Sequence, residues 1–480
     1  MADLRAIAHQ VMLEEGFAPD VPPAAVAEAR ALESWRPAGG AALRDMRELL
    51  WSSIDNVESR DLDQIEYAER QPNGDIRLLV GIADVDALAP ENSAIDRHAA
   101  DNTTSVYTGV VTFPMLPERL STDLTSLIEG VDRPAVVIEL VVAEDGAIRS
   151  SEVYRAIAHN YAKLDYESVG VWLEGGAQPP KVSATRGLAE QLRLQDEAAE
   201  RLRELRVRNG ALDLETIEAN VVTDNGSVVD LTVRHKTRAR YVIENFMIAA
   251  NRVMATFLED SGRPSIQRVV RAPERWPRIV ELAASLGGQL PLEPDARSLA
   301  NFMARRKHAD PDHFPDLSLA VVKLLGAGEY DVVQPGAEHD GHFGLAVQDY
   351  THATAPNRRY ADLIIQRLLK ALLEHQPSPY SGDELSAIAA RCTERDKAAK
   401  KVERRMRKYA AVALMRKRLG QVFDAIVTGA SQKGTYVRLI APPVEGRVVR
   451  GEAGMDVGDH ERVRLIGVDD ERGFIDFARV

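Results

Sequence analysis

The sequence predicts a multidomain α+β protein with a small N-terminal helical module, a central domain with a mixed or antiparallel sheet and helices, and a C-terminal OB-fold β-barrel. In the central part, apolar runs that end at Asp-Gly or Asn-Gly turn signals are followed by long helical runs. After about residue 420, five short alternating segments are broken by Gly, Asp and Pro, which is typical of a small barrel. With 480 residues, the chain is too long for a single hydrophobic core.

The first 40 residues predict two short helices, Leu4 to Glu15 and Pro23 to Ser34, followed by the helix-breaking segment 37–40. Apolar residues recur at helical spacing in the first of them. So few residues hold little core of their own. The segment is therefore either a small helix-turn-helix-like module or an arm packed on the main body.

The central part, 41–419, contains segments with the apolar pattern of strands and segments with the apolar spacing of helices. Strands are predicted at 75–88, 135–146, 150–159, 214–226 and 227–236. Helices are predicted at 183–206, 239–260, 273–287 and 361–375, and a long basic helix at about 383–419. In the tail, 420–480, the five barrel strands are 421–430, 434–441, 445–451, 461–470 and 473–480. A barrel of this kind offers a strand face on which bases stack, with Tyr436 as the first candidate and Phe423 as the weaker one; the alternative is that both fill the barrel core.

Composition and charge limit the class of protein. The chain has no long apolar segment of membrane-spanning type and no signal-peptide pattern at its start, and Cys392 is its single cysteine. These features predict a cytoplasmic protein without disulfides or a cysteine-based zinc site. The formal net charge of -13 disfavours overall basicity as a means of coating nucleic acid. Residues 395–418, however, contain eleven basic residues and two acidic ones, which indicates either a phosphate-tracking stripe or a solvated helix face.

The first candidate site is the segment 54–64, which contains Asp55, Asp61 and Asp63. Carboxylates packed this closely repel one another, and a divalent cation relieves the repulsion. Hard oxygen ligands favour magnesium or manganese over zinc. A magnesium site built from aspartates most often acts on a phosphate. The competing interpretation is a solvated acidic turn.

The second candidate site lies in the segment 341–367, where Arg358 and Arg359 follow a proline and precede an apolar helix. Arginines at the start of a helix suit an anion, because the backbone N–H groups there also attract negative charge. The planar guanidinium matches a phosphate that gains charge in a reaction. A structural salt-bridge node is the competing interpretation.

Together these motifs resemble the ribonuclease II / ribonuclease R family. Its catalytic RNB domain carries an aspartate cluster of the form I-D-x5-D-x-D-D and a downstream run H-F-G-L-A … Y-x-H-x-T-S-P-I-R-R-Y-x-D-L. The resemblance extends from about Leu43 to Val480 and includes residues 104–127 and 241–253. It implies an RNB catalytic domain at 41–419 and an RNA-binding OB-fold domain at 420–480, preceded by the helical module at 1–40. The family's usual pair of N-terminal cold-shock barrels is not expected, since 40 helical residues cannot contain them.

The resemblance implies a processive 3′-to-5′ exoribonuclease that releases nucleoside 5′-monophosphates by magnesium-dependent, two-metal hydrolysis, with manganese as a substitute. Asp55, Asp61 and Asp63 match the first three family aspartates and are expected to bind the metal. Arg358 matches the arginine that contacts the scissile phosphate, and Arg359 is its expected helper. The implied partner is RNA with a single-stranded 3′ end, and the implied state is a monomer.

Four further residues match substrate-contacting positions of the family. Tyr107 matches the tyrosine that stacks against a terminal base, and Tyr166 is a further candidate for clamping the RNA end. Glu244 and Glu403 fall at acidic positions that contact the ribose or the terminal nucleotide. Three of them have a structural alternative: Tyr107 as a core tyrosine, Glu244 as an acid in the first turn of a helix, and Glu403 in an ion pair within the basic helix.

The chain departs from the family pattern at two positions that matter for the site. Gln64 stands where the family has its fourth aspartate, so one negative charge is missing, although an amide oxygen can still bind magnesium or hold a water. Gln366 stands where a histidine is usual, at a position expected to be structural. The departure at Gln64 leaves a second hypothesis open, namely a non-catalytic RNA-binding or regulatory protein on a decayed site. A third hypothesis is an enzyme specialised for trimming structured 3′ ends.

Overall fold

The computed structural model of the chain describes residues 3–33, 43–215, 219–224, 227–233, 236–311, 313–431, 434–470 and 472–480. The predicted end of the second helix at Ser34 and the segment 37–40 lie outside these residues, as do parts of the strands predicted at 214–226 and 227–236. Within the described ranges, no helix combines the length and the apolarity that crossing a bilayer requires.

The central sheet has six strands in the order β1-β8-β2-β3-β4-β7. Its strands are β1 (Arg44–Asp45), β2 (Trp51–Asp55), β3 (Gln64–Arg70), β4 (Ile76–Ala83), β7 (Asp132–Val142) and β8 (Ile148–Asp165). Strand β8 pairs in parallel with β1 and β2, whereas β2–β3, β3–β4, β4–β7 and β7–β8 are antiparallel. Because β8 pairs with both β2 and β7, the sheet closes on itself. The predicted mixed sheet is confirmed.

Helices cover this sheet and extend beyond it. They are α3 (Ala94–Asn102), α4 (Tyr166–Leu173), α5 (Pro180–Ala184), α6 (Leu188–Arg208), α7 (Arg238–Asp260), α8 (Trp276–Ser285), α9 (Ala296–Ala309), α10 (Phe314–Leu325), α11 (Tyr360–Leu373) and α12 (Gly382–Met415). The main core lies between the sheet and helices that include α3, α6, α7 and α11. The helix predicted at 183–206 is wrong as a single element. Gly187, at a φ of 84°, separates α5 from α6, since a left-handed residue does not continue a helix.

Three short two-stranded sheets complete the central part. They pair β5 (Val106–Tyr107) with β6 (Thr112–Phe113), β9 (Ala219–Asp224) with β10 (Ser227–Val233), and β11 (Ser265–Val269) with β12 (Glu329–Val333).

Helix α11 is anchored on the sheet by Gln366, whose Nε2 donates to Ala83 O at 2.7 Å and whose Oε1 accepts from Asp86 N at 3.1 Å. Gln366 therefore makes structural contacts here.

The N-terminal helices, α1 (Leu4–Glu14) and α2 (Pro23–Ala31), pack on central elements. Asp3 caps α1 by accepting a hydrogen bond from the backbone N–H of Arg5 at 2.9 Å. Apolar residues of α1 share one core cluster with Val402 and Met406 of α12. Helix α2 packs against α3. Both helices therefore lie as an arm on the main body.

Helix α12 carries the basic stripe predicted at 395–418 as far as Met415, and Arg416–Arg418 follow it in a short 3-10 helix. Ser381 and Glu384 form a capping box at its start. Further along the helix, Arg405 pairs with Glu14 of α1 at 2.8 Å and Lys401 pairs with Glu15 at 2.9 Å. The stripe is thus partly neutralised by α1, and it is not a uniform track of free positive charge.

The C-terminal part is a closed five-stranded barrel, as predicted. Its strands are β13 (Val422–Ser431), β14 (Gly434–Leu439), β15 (Glu445–Arg450), β16 (His460–Asp469) and β17 (Phe474–Arg479), in the order β13-β14-β15-β17-β16. The barrel core, which includes Val437 and Phe477, is continuous with the end of α12 through Met415. Phe423 packs against this core, whereas Tyr436 is 44% exposed.

Candidate active site

The first part of the site is the turn that leaves β2. Ile54 is buried, so it anchors the end of the strand, and Asp55 follows at the edge. Asp55 Oδ1 accepts hydrogen bonds from the backbone N–H of Asn56 at 2.7 Å and from Ser59 Oγ at 2.9 Å. These two bonds fix one oxygen of the carboxylate. Burial raises the pKa of Asp55, and the two hydrogen bonds oppose that rise.

Asp63 connects this turn to the arginine segment. Its side chain is 2% exposed. Oδ1 accepts from the backbone N–H of Asn357 at 3.0 Å, and Oδ2 accepts from Arg358 Nε at 3.1 Å. Burial raises the pKa of Asp63 to about 7, against the opposing effects of Arg358 and the Asn357 N–H. The two motifs predicted from sequence therefore meet directly at this carboxylate.

The arginine segment is held by residues just before β5. Ser105 N donates to Arg358 O at 2.9 Å, and Tyr360 N donates to Thr103 O at 2.8 Å. Arg358 keeps 45% of its side chain exposed while it contacts Asp63. Arg359 instead pairs with the buried Asp362 at 2.7 Å. Of the two predicted arginines, Arg358 thus faces the site, and Arg359 is engaged at the start of α11.

Tyr107 brings two more of the predicted residues together. Its hydroxyl donates to Asp61 Oδ2 at 3.2 Å, and its backbone N–H donates to Glu403 Oε1 of α12 at 3.5 Å. Tyr107 is 42% exposed, so it is not a core tyrosine. The cluster around the aspartates is therefore built from β2, β3, β5, α12 and the segment before α11.

Of the remaining predicted residues, Tyr166 lies beside this cluster, whereas Glu244 and Tyr436 lie elsewhere. Tyr166, at the start of α4, lies under the guanidinium of Arg240 at 4.3 Å. Its pKa is raised by burial and then by the nearby charge of Asp55, so Tyr166 lies beside the cluster. Glu244 pairs with Lys236 near the start of α7. Tyr436 lies on the barrel, and among the described contacts neither Glu244 nor Tyr436 touches the aspartates.

The donor set suits a hard divalent cation. The charge of Asp61 contributes to the raised pKa values of Asp55 and Asp63, so the three carboxylates lie within one another's field. Arg358 is the cation that acts on both Asp55 and Asp63. Three carboxylates against one arginine leave net negative charge, which magnesium or manganese would balance.

A second group of side chains that can bind a metal differs from this site in the distances between its ligand atoms. Glu259, His339 and Asp349 offer ligand atoms that all lie within 4.8 Å of one another, and the three aspartates do not meet that spacing. In the aspartate cluster, Tyr107 donates a hydrogen bond to Asp61 and Arg358 donates one to Asp63. The charge and the hard oxygen donors of the aspartate cluster, and not its ligand spacing, suit it to a divalent cation.

One polar residue of this region was missed by the sequence analysis. Glu66 of β3 is completely buried, and neither of its carboxylate oxygens has a hydrogen-bond partner. Burial raises its pKa well above the ordinary value, and the charge of Asp55 adds to that rise. The available signal was an acidic residue inside a strand whose neighbours Ile65 and Ala68 are apolar.

Comparisons with known proteins agree with the motifs. A family model described as the RNB domain matches residues 43–375, and a model described as the RNase II-type exonuclease C-terminal S1 domain matches residues 421–480. The chain is 31% identical to Ribonuclease R of Thermotoga maritima over 468 residues, which is 91% of this chain and 65% of that protein. It is 30% identical to Ribonuclease R of Escherichia coli over 425 residues, which is 84% of this chain and 51% of that protein.

The fold is similar to that of Mycoplasma genitalium RNase R in complex with ribose methylated single-stranded RNA. The TM-score is 0.90 at 23% sequence identity, and the match covers 100% of this chain and 78% of that one. The chain spans about half to two thirds of the length of these two curated relatives.

Proposed function

The chain belongs to the RNB-domain family, and from this premise we propose that it is a 3′-to-5′ exoribonuclease that processively hydrolyses RNA to nucleoside 5′-monophosphates. The observation that carries the proposal is the contact between Arg358 and Asp63, which joins the arginine segment to the aspartate turn in one cluster. Asp63 is buried and Arg358 is half-exposed, so the pair holds a positive charge where a phosphate can reach it.

Asp55, Asp61 and Asp63 are the proposed magnesium ligands, and manganese is the expected substitute. When bound, the two ions supply an activated water and stabilise the leaving 3′ oxygen. Arg358 orients the scissile phosphate and neutralises its growing charge, because its guanidinium is half-exposed and already lies against the metal-binding carboxylates. Arg359 holds the segment by its pair with Asp362.

The RNA end is proposed to bind between Tyr107 and Tyr166. Tyr107 has an exposed ring for stacking and a hydroxyl fixed on Asp61. Glu403 lies at the backbone of Tyr107, where it can accept hydrogen bonds from ribose hydroxyls. Glu244 is proposed as a further ribose contact, in exchange for its pair with Lys236.

The proposed substrate is RNA with a single-stranded 3′ end. The barrel supports this proposal, since a closed five-stranded barrel with an exposed Tyr436 offers a platform for bases. Contacts to phosphates dominate such binding, so affinity is expected to fall steeply with salt.

Digestion of a 5′-labelled single-stranded RNA, with magnesium or with EDTA, tests the proposal. A ladder that shortens from the 3′ end with magnesium, and is absent with EDTA, is the expected result. Intact RNA that still shifts on a gel would contradict the proposal and favour a binding protein on an inactive fold. A hairpin with a 3′ overhang, run in parallel, shows where degradation stops.

A further inference from the structure

Glu66 is a buried acid without a hydrogen-bond partner among the residues that the structure describes. Its side chain is completely buried on β3, and both carboxylate oxygens lack a hydrogen-bond partner. An acid in this situation destabilises a fold, because burial removes its hydration and nothing replaces it. Hydrogen bonds among the described residues therefore do not explain its presence.

The surroundings of Glu66 are polar on the side of the aspartates. Ser52 lies directly opposite Glu66 on the neighbouring strand β2, and its buried Oγ has no hydrogen-bond partner either. Asp55 is the charged group that acts on Glu66, and the charges of both Asp55 and Glu66 act on Tyr166. The carboxylate thus lies in the same small region as the first metal-binding aspartate.

The position of Glu66 relative to Gln64 adds a second argument. Side chains two residues apart in a strand point to the same face, at a spacing of about 7 Å. Gln64 begins β3, immediately after Asp63, and it is the neutral residue at the place of the fourth aspartate of the motif. A glutamate has one more methylene group than an aspartate. The carboxylate of Glu66 can therefore reach further from its own backbone toward the position of Gln64.

We propose that Glu66 is the fourth acidic group of the metal site, and that it supplies the negative charge that Gln64 does not. The proposal rests on the function proposed above, since it assigns a ligand to the same divalent cation that Asp55 binds. Glu66, two residues further along β3 than Gln64, would then help to hold that cation. The fourth acidic group then lies at position 66 instead of position 64, and Gln64 does not indicate that the site is inactive.

Metal binding, measured separately from RNA cleavage, tests this assignment. Manganese is titrated into the full chain and followed by electron paramagnetic resonance, for the wild type, Glu66→Gln and Glu69→Gln. Glu69 lies on the same strand, but it is 52% exposed and pairs with Arg77, so it is the matched control. Glu66→Gln is expected to bind manganese about 10- to 100-fold more weakly, and Glu69→Gln is expected to bind like the wild type.

A double variant guards against an indirect effect of the substitution. Gln64→Asp combined with Glu66→Gln returns the charge to the motif position, so it is expected to restore most of the lost affinity. Unchanged affinity in Glu66→Gln would overturn the assignment. A loss in Glu66→Gln that the double variant does not restore would also overturn it, since the charge would then not be exchangeable between the two positions.

Failure of this inference is distinguishable from failure of the proposed function. If the wild type degrades RNA and Glu66→Gln binds manganese normally, the exoribonuclease stands and the role of Glu66 is wrong. If the wild type binds manganese through Glu66 but does not cleave RNA, the ligand set stands and the proposed activity is wrong.

Discussion

Arg358 donates a hydrogen bond from Nε to Asp63 Oδ2 at 3.1 Å, and the adjacent backbone N–H of Asn357 binds the other oxygen of the same carboxylate at 3.0 Å. The aspartate is fixed by both bonds, whereas the arginine keeps 45% of its side chain exposed. An arginine placed in this way can hold a phosphate oxygen without leaving the carboxylate. The pair therefore supports one function for both motifs.

The planar shape of the Arg358 guanidinium, and not only its positive charge, is expected to be needed for catalysis. Arg358→Lys keeps a positive charge but loses the planar fork that contacts both the carboxylate and a phosphate. We expect kcat to fall about 100- to 1,000-fold with little change in KM, as for loss of one group that stabilises transition-state charge. Single-turnover cleavage of a labelled RNA measures the effect. Arg278→Lys is the control, because its side chain is 74% exposed on α8.

Asp63→Asn is expected to abolish turnover and leave RNA binding nearly intact. The asparagine keeps an oxygen for the Asn357 N–H, but it removes the negative charge that the cation and Arg358 share. A gel shift in EDTA and a cleavage assay in magnesium measure the two properties separately. Asp101→Asn is a suitable control, since that side chain is 70% exposed. Cleavage at the wild-type rate in Asp63→Asn would show that Asp63 is not a metal ligand.

Much of the fold could be predicted because local patterns determine it. The five barrel strands follow from alternation between turn residues, and the mixed sheet follows from apolar runs with turn signals. The closure of the central sheet could not be predicted, because it depends on the pairing of β8 with both β2 and β7. The break between α5 and α6 depends on one left-handed glycine inside a helical pattern.

The candidate site, like the fold, could be predicted only in part. The residue types around Asp55, Asp63 and Arg358 indicated phosphate chemistry, but their contacts join parts of the chain that are far apart in sequence. Glu66 was visible as an acid within an apolar strand, whereas its lack of a partner is a property of three-dimensional packing. Spacing along the sequence carries no information on which buried groups remain unsatisfied.

Tyr436→Ala tests the barrel as a platform for bases. The ring is 44% exposed on β14, and loss of one stacked base costs about 1 to 3 kcal/mol of binding free energy. We therefore expect affinity for single-stranded RNA to fall about 5- to 100-fold, with an unchanged salt dependence because no charge is removed. Tyr161→Ala, at another exposed tyrosine on β8, is the control. Equal affinity of wild type and Tyr436→Ala would show that RNA does not stack on this ring.

A point variant is the better test here than deletion of 421–480. The barrel core is continuous with Val412 and Met415 of α12, so deletion would expose apolar residues of the helix. Deletion is still expected to weaken RNA binding and processivity without removing the chemistry. Its effect on cleavage is best measured on short RNA at saturating concentration, where affinity no longer limits the rate.

The stability of the protein is expected to depend on a partly buried histidine at mildly acidic pH. Burial lowers the pKa of His342 from 6.5 to about 4, and His342 Nδ1 accepts a hydrogen bond from Leu345 N at 3.2 Å in the neutral form. The unfolded chain binds a proton at this residue below about pH 6.5, whereas the folded chain stays neutral down to about pH 4. Between these values the unfolded state binds more protons, so the free energy of unfolding decreases as the pH falls.

His342→Asn isolates this contribution, since the asparagine oxygen can accept the same hydrogen bond but does not titrate. Between pH 6.5 and pH 4, we expect the wild type to lose about 1 to 3 kcal/mol more unfolding free energy than the variant. Above pH 6.5 the difference between the two proteins is expected to be constant. Urea unfolding at a series of pH values measures it, with His308→Gln, at an exposed position of α9, as the control. Parallel curves for wild type and His342→Asn over this range would show that His342 titrates normally in the folded protein.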